Sequence, residues 1–378
     1  MGAGLNRQRW LEVIAGRDRS TGAALLRGAA TLAEGGYRLA VACRNGAYDA
    51  GVKPSRRAHA PVLSVGNLTT GGTGKTPIVM HIARRLRAMG RRPAILMRGY
   101  MADADAPSDE AALYREALAD AAVVVDPDRV AGAAAVAAER PEVDALVLDD
   151  GFQHRRIARD LDLVLIDASE PWGYGHALPR GLMREPRSAL RRADAVVLTH
   201  CEGATAAELA ALDAEVGRWH GRPPIAHVEH AWEAVVDASG ATVASGAVGA
   251  SSGRRRVVAF CGLGNPGRFF EEAGRWFEVA EAHSFEDHHR YDERSVEWLA
   301  DRLASTGAEA GLTSEKDWSR LAPLPGAGGG PAGEAASAGA STKAPAIWRS
   351  KLALRFASGA GALDELLGRA VDDDGGRR

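Results

Sequence analysis

The sequence predicts an α/β protein: a doubly wound parallel sheet carrying a phosphate-binding loop, with a second, smaller α/β domain and a two-stranded β linker. Three observations lead there. Short apolar runs alternate with helical patterns from 61 to 219, the signature of βα units with parallel strands. The first run, Pro61-Val-Leu-Ser-Val65, leads into a glycine-rich segment that ends in Gly74-Lys75-Thr76. The alternation breaks near Pro224 and resumes at Arg255-Val-Val-Ala-Phe-Cys-Gly-Leu-Gly264, where a second unit opens.

Composition narrows the class. A chain of 378 residues has room for two or three domains. Its net charge of −2 gives no nucleic-acid footprint. There are five lysines among 47 basic residues, and one of them, Lys75, stands in the loop, where a compact point charge suits phosphate. The three cysteines, Cys43, Cys201 and Cys261, form no close pair, which argues against a disulfide framework or zinc site and fits a reducing cytoplasm. The first residues lack a signal-peptide core, and no apolar run reaches the about 18 residues a transmembrane helix requires.

In chain order, residues 22 to 43 read as an amphipathic helix with Leu25, Ala29, Leu32, Gly36, Leu39 and Cys43 on one face. Arg27, Thr31, Glu34 and Arg38 fall on the other. Such a helix either packs on its own domain or lies in a membrane interface. Next comes the loop. Glycines let backbone N–H groups turn toward phosphate oxygens, and the positive end of the following helix faces the same anion. Gly71, Gly72, Thr73 and Gly74 would cradle phosphate, Lys75 would reach the β/γ-phosphates, and Thr76 would offer its hydroxyl to Mg²⁺. Thr69 stands where the strict motif has its first glycine.

A buried strand ending in Arg98-Gly99-Tyr100 follows, then an acidic segment, 101–110, and further strand–helix pairs. Asp144-Ala-Leu-Val-Leu-Asp149-Asp150 places two carboxylates at a strand's C-terminal edge, where ligands bind in open sheets. Adjacent carboxylates repel unless a cation joins them, and Mg²⁺ is the natural one. Arg180 and Arg184 lie in a Gly- and Pro-rich loop and could hold an anionic substrate. The second unit holds Gly262-Leu-Gly-Asn-Pro-Gly267, a weak dinucleotide-type match, and a histidine-dense segment, Ser284 to Tyr291. The segment suits acid–base chemistry better than metal binding, because adjacent residues cannot surround one ion. Residues 323–344, rich in Gly, Ala, Ser and Pro, read as a disordered insert. Ile347 to Phe356 alternates like a strand that could pair with 225–236.

Five motifs occur in one order: Ser64-Val-Gly-Asn67 running on to Gly71-Gly-Thr-Gly-Lys-Thr-Pro77, Arg98-Gly-Tyr100, Asp149-Asp-Gly-Phe-Gln-His154, Arg184-Glu-Pro186 and Asp287-His-His289. Together they resemble the tetraacyldisaccharide 4'-kinase family of lipid A biosynthesis, over about 20 to 356. The resemblance implies two α/β/α domains with ATP and Mg²⁺ in the cleft. It implies transfer of the γ-phosphate to the 4'-hydroxyl of a tetraacyldisaccharide 1-phosphate at the cytoplasmic face of the inner membrane, without an obligate protein partner. It also favours membrane contact for the N-terminal helix. The expected divisions are a membrane-associating segment at 1–55, a kinase domain at 56–222, a linker strand at 223–250, a second domain at 251–322, the insert at 323–345, and a return strand and helix at 346–378.

Residue by residue, the resemblance implies nucleotide contacts at Lys75 and Thr76 and metal-binding carboxylates at Asp149 and Asp150. It implies a base at Asp109 with its partner at His288, next to Asp287, and supporting roles for Asn67, Tyr100, Gln153, His154, Arg184 and Glu185. The sequence departs from the family at Ser108, where the family has Gly, in the shortness of the segment after Tyr100, and at Pro179-Arg-Gly-Leu182. A P-loop regulatory switch is the alternative; against it, Thr199-His-Cys-Glu202 lacks the lysine of a guanine-reading motif.

Overall fold

Residues 7–99, 109–118, 121–245, 254–264, 266–286, 289–327 and 344–372 are described in the computed structural model of the chain. They divide into two units, one of Met1–Tyr100, Ala117–His230 and Leu354–Arg378, the other of Met101–Glu116 and Ala231–Ala353. The segment holding Asp109 thus groups with the second unit rather than with the loop.

The first unit begins with helices α1 (Arg7–Ile14) and α2 (Thr21–Asp49). It continues through β1 (Val62–Asn67), α3 (Lys75–Ala88) and β2 (Pro93–Met97). Helix α4 (Asp109–Ala117) follows, lying almost wholly in the second unit. The first unit resumes with β3 (Ala122–Val125), α5 (Arg129–Glu139), β4 (Ala145–Asp149), β5 (Leu161–Asp167), β6 (Ala195–Thr199) and α6 (Ala206–His220). Strand β7 (Ala226–Asp237) then carries the chain into the second unit. The strands run β3-β2-β4-β1-β5-β6-β7, and every pairing among them is parallel. The chain moves to one side of β1 for β2, β3 and β4 and to the other for β5 and β6. The loop after β1 therefore opens at the switch point where ligands bind in such sheets. Strands β1, β2 and β4 are buried along their whole length, as expected of strands covered on both faces. Ala133 and Val136 of α5 share one core with Leu146 and Leu148. Leu212 and Val216 of α6 share another with Val164, Ile166 and Leu198.

The second unit pairs β8 (Thr242–Ser245) antiparallel to β7 and continues with β9 (Arg256–Cys261), α7 (Pro266–Trp276) and β10 (Glu278–Ser284). It adds α8 (Glu293–Thr306), β11 (Ala310–Ser314) and α9 (Glu315–Leu321). Strand β12 (Ile347–Ser358) returns the chain to the first unit, where α10 (Ala360–Asp372) follows. The order β10-β9-β11-β12 is parallel throughout, and β12 is next to β7 in the strand order, as the alternation predicted. Leu324 packs in this unit's core and Ala327 is fully buried, so ordered packing continues past 323. Residues 328–343 of the expected insert lie outside the described residues.

Helix α2 shows which part of its surface is packed, a point the sequence left open. Ser20 caps it by accepting from Ala23 N–H, and it runs through Gly35 and Gly36 for 29 residues. Of the residues opposite the leucines, Glu34 is buried and Arg27 half-buried, whereas Thr31 and Arg38 stay exposed. Buried Glu34 accepts from the Ala177 N–H at 2.9 Å and lies 3.0 Å from His176 Nδ1. Tyr37 Oη donates to the Arg184 carbonyl. Leu25, Leu32 and Leu39 are instead 72, 82 and 66 % exposed. Small Ala23 and Ala30 allow close packing, and Glu34 is buried because its carboxylate is hydrogen-bonded there.

Candidate active site

The phosphate loop is held by its own side chains. Asn67, fully buried at the end of β1, donates through Nδ2 to the Thr69 carbonyl (2.8 Å) and to Thr73 Oγ1 (2.9 Å). Its Oδ1 accepts from Lys75 Nζ at 3.3 Å. Asn67 thus ties both ends of the loop to its lysine. Thr199, at the end of β6, donates to the Thr73 carbonyl (3.0 Å). The loop's first half is zipped to the Arg-rich segment: Thr70 N–H donates to the Leu182 carbonyl and Arg184 N–H to the Leu68 carbonyl. This pairing gives Thr69 an extended bridge to Met183. Gly74, the N-cap of α3, has a left-handed φ of 73°, and no side chain caps the helix. Its first-turn amides, together with Lys75 and Thr76, remain to face an anion.

The carboxylate pair stands at the C-terminal edge of β4, beside β1. A Cβ on Gly66 would lie 2.6 Å from the Phe152 backbone nitrogen, so only glycine lets the turn after Asp150 approach the loop strand this closely. Asp150 adopts φ 54°, a conformation non-glycine residues take at a cost and mainly at functional sites. Arg184 Nη1 contacts its Oδ2 at 2.7 Å, and Lys75 Nζ lies 3.6 Å from its Oδ1. Burial pushes the Asp150 carboxyl up, but Lys75 and Arg184 outweigh it and hold the group below its ordinary value. Asp150 Oδ1 is buried and makes no hydrogen bond. Asp149 is 4 % exposed, and buried Arg129 donates to its carbonyl at 3.2 Å. Oxygen donors from Asp149, Asp150 and Thr76 suit Mg²⁺, a hard cation. Gln153 donates to the Asn67 carbonyl (2.9 Å) and accepts from Arg184. Burial, with the Arg129 charge beside it, pushes the His154 pKa down to about 4, so the ring is neutral at neutral pH.

Glu185, given a supporting role, and Arg180, expected to hold an anionic substrate, are both bonded within the first unit. Glu185 is 1 % exposed and accepts from Arg44 (3.0 Å) and Asn45 (2.8 Å) of α2, with Arg192 2.9 Å away. Arg180 donates to the Ile14 carbonyl. Arg184 contacts Asp150 instead of presenting a free guanidinium to an anion. The sequence reading missed Thr199 and Arg129; a polar or charged residue at the edge of an otherwise apolar strand or helix was the available signal.

In the second unit, Asp109 is the first residue of α4. Tyr100, Asp287 and His288 lie outside the described residues. Their neighbours are placed: Glu286 accepts from the His289 N–H, and Arg320 donates to the His289 carbonyl and to buried Asp317. Asp317 also accepts from the Gly262 N–H at 3.1 Å. The first amide of the Gly262–Gly267 turn is thus bonded inside the unit, which disfavours a dinucleotide cradle there.

A parallel sheet with this loop, an uncapped helix start and an acidic pair at the switch point defines a P-loop nucleotide-binding protein. Known proteins narrow it further. The sequence profile described as tetraacyldisaccharide-1-P 4'-kinase (LpxK) matches residues 23–332. A tetraacyldisaccharide 4'-kinase of Anaeromyxobacter dehalogenans (strain 2CP-C) is 45 % identical over 333 residues, covering 83 % of this chain and 86 % of that protein. One from Geobacter sulfurreducens is 35 % identical over 332 residues, covering 82 and 89 %. The Aquifex aeolicus LpxK crystal structure, described as the "apo" form in complex with ATP, superposes with a TM-score of 0.68. It is 26 % identical and covers 92 % of this chain and 99 % of that one. The chain belongs to the tetraacyldisaccharide 4'-kinase family. It is a kinase, and its step is the 4'-phosphorylation of lipid A assembly. That membership decides against the regulatory switch.

Proposed function

We propose that the chain transfers the γ-phosphate of ATP to the 4'-hydroxyl of a tetraacyldisaccharide 1-phosphate, with Lys75, Thr76, Asp149 and Asp150 serving the phosphates and Mg²⁺. The observation that carries the assignment is the convergence of Lys75 and Arg184 on Asp150, 3.6 and 2.7 Å away, beside the uncapped start of α3. Mg²⁺, when bound, would neutralise charge on the transferring phosphoryl group. Lys75, already oriented by Asn67, stabilises the same charge. Arg184 and Gln153 fix the Asp150 carboxylate and the loop backbone.

On the acceptor side we assign the base to Asp109, with His288 as its partner and Asp287 beside it. A sugar hydroxyl has a high pKa, so it sheds its proton late in the transfer, and a carboxylate in contact with it is sufficient. We place the enzyme against the cytoplasmic face of the inner membrane through α2. Its exposed Leu25, Leu32 and Leu39 support that reading, and no helix among the described residues is long and apolar enough to cross a membrane.

The test is incubation with labelled ATP, Mg²⁺ and a lipid disaccharide 1-phosphate, followed by lipid extraction. Label should enter the organic phase with the wild-type chain and largely fail to do so with Asp109→Ala, whose ATP affinity should be unchanged. Full turnover by Asp109→Ala would remove that residue from the mechanism.

A further inference from the structure

Beyond the carboxylate pair, a second cluster with metal-ligand chemistry lies against the phosphate loop in the first unit. We propose that His200, Glu202 and His230 form a binding site for a divalent transition-metal ion of the zinc class, separate from the magnesium carboxylates. Each residue offers one ligand atom, and these atoms lie within 4.8 Å of one another.

His200 follows β6 and adopts a left-handed φ of 56°, a non-glycine conformation that is held only where the surroundings enforce it. Its Nδ1 is buried, makes no hydrogen bond, and stands 3.5 Å from Glu202 Oε1. That separation is close to the edge of a tetrahedron with about 2.0–2.2 Å metal–ligand bonds. The other nitrogen, Nε2, faces Asp167 Oδ2 at 3.9 Å. A carboxylate on the far side of a ligating imidazole is the common outer partner in metal sites. Glu202 is tied in place because its Oε2 accepts from the His230 backbone N–H at 3.1 Å. Burial raises the Glu202 carboxyl, yet the His200 ring and the backbone amides of Glu202 and His230 together outweigh it and bring the group to about 2, so it is ionised at neutral pH. The His230 ring stacks on His200 with centroids 4.1 Å apart and planes inclined by 28°. The χ2 torsion of histidine is soft, so closing the remaining distance to one ion asks for ring rotation rather than backbone movement.

Two imidazoles and a carboxylate are the donors of several three-ligand zinc centres and a poor set for Mg²⁺, which prefers oxygen. The location gives the site a consequence. A Cβ on Gly74 would come within 2.6 Å of His230 Nε2 and 3.5 Å of His200 Nε2. A bound ion would therefore fasten the end of β6 and the start of β7 together beside the N-cap of α3.

The experiment titrates untagged full-length protein with Co²⁺ in excess Mg²⁺, reading visible d–d absorption, and repeats the melting curve with Zn²⁺. The expected result is one saturable site, a Zn²⁺-dependent rise in melting temperature, and loss of both in His200→Ala and His230→Ala. Asp150→Asn should keep the Co²⁺ spectrum, which separates this site from the carboxylate pair. Glu202→Gln, which preserves an acceptor for the His230 N–H, should weaken Co²⁺ binding at least about tenfold and serves if an alanine variant does not fold. Absence of a saturable spectrum in the wild type, its persistence in folded His230→Ala, or its loss in Asp150→Asn would overturn the proposal.

Discussion

Arg184 Nη1 lies 2.7 Å from Asp150 Oδ2 while Lys75 Nζ stands 3.6 Å from the other oxygen of the same carboxylate. Two cations on one half-buried acid keep it ionised and fix the direction of its lone pairs. Asp150→Asn removes the charge while retaining the shape. Turnover should fall about 10²–10³-fold, about 2.7–4 kcal/mol of transition-state stabilisation by comparison with loss of one preorganised electrostatic group. Half-saturation by Mg²⁺ should move to higher concentration. Steady-state rates across a Mg²⁺ series check both, and an unaltered Mg²⁺ dependence would take Asp150 out of the metal site.

Asn67 reaches three loop groups from a fully buried position. Asn67→Ala leaves Thr73 Oγ1 and the Thr69 carbonyl without that donor. The change should cost about 1–3 kcal/mol of stability for buried groups left unsatisfied and should weaken nucleotide binding as Lys75 loses its guide. Urea unfolding and nucleotide titration read the two effects. A variant with wild-type stability and affinity would mean the loop holds its shape without the brace.

Much of this site was legible locally. Gly74-Lys75-Thr76 and Asp149-Asp150 each lie on a few consecutive residues, and the strands before them are short, largely apolar and buried throughout. Contacts between distant segments were not. Thr199 and Thr73 are 126 residues apart, and Glu34 and Ala177 are 143 apart; neither pairing leaves a periodic trace. For α2 the helical period was readable but not its orientation. An amphipathic pattern shows that two faces differ, whereas the partner decides which one is buried. Here the partner offers the Ala177 N–H and the His176 ring, so the face with Glu34 turns inward.

Gly72 offers a clean probe of ligand approach. A Cβ there would meet nothing within 4 Å, and its φ is not in the positive range. Gly72→Ala should therefore leave the melting temperature near that of the wild type while raising the Kd for ATP, because only the nucleotide would meet the methyl. Calorimetric titration beside a melting curve separates these effects. Equal affinity would place the phosphates away from this part of the loop.

His154 makes stability depend on pH in a definite direction. Its ordinary pKa of 6.5 drops to about 4 in the fold, mainly through burial. Between those values the unfolded chain binds a proton that the folded chain does not, so stability falls as pH drops from 6.5 toward 4 and is fully present above 6.5. His154→Asn should flatten that part of the profile. Urea midpoints taken within the window and above it provide the comparison; an equally steep decline in the variant would assign the dependence to other groups.

The two faces of α2 make opposite predictions for folding and for membrane contact. Leu25, Leu32 and Leu39 are 72, 82 and 66 % exposed, so replacing all three with serine removes little packing within the chain. Fully burying one leucine side chain in an apolar phase contributes about 1.5–3 kcal/mol, so three together support reversible attachment to a bilayer surface. The triple serine variant should melt like the wild type and no longer float with vesicles. Glu34→Ala, on the packed face, removes the acceptor for the buried Ala177 N–H and the partner of His176. It should lose about 1–3 kcal/mol of stability, and the fraction that remains folded should keep its vesicle binding. Flotation of the triple variant at wild-type levels would assign membrane contact to another surface, because its leucines contribute little to the fold and their loss can be read only at the bilayer.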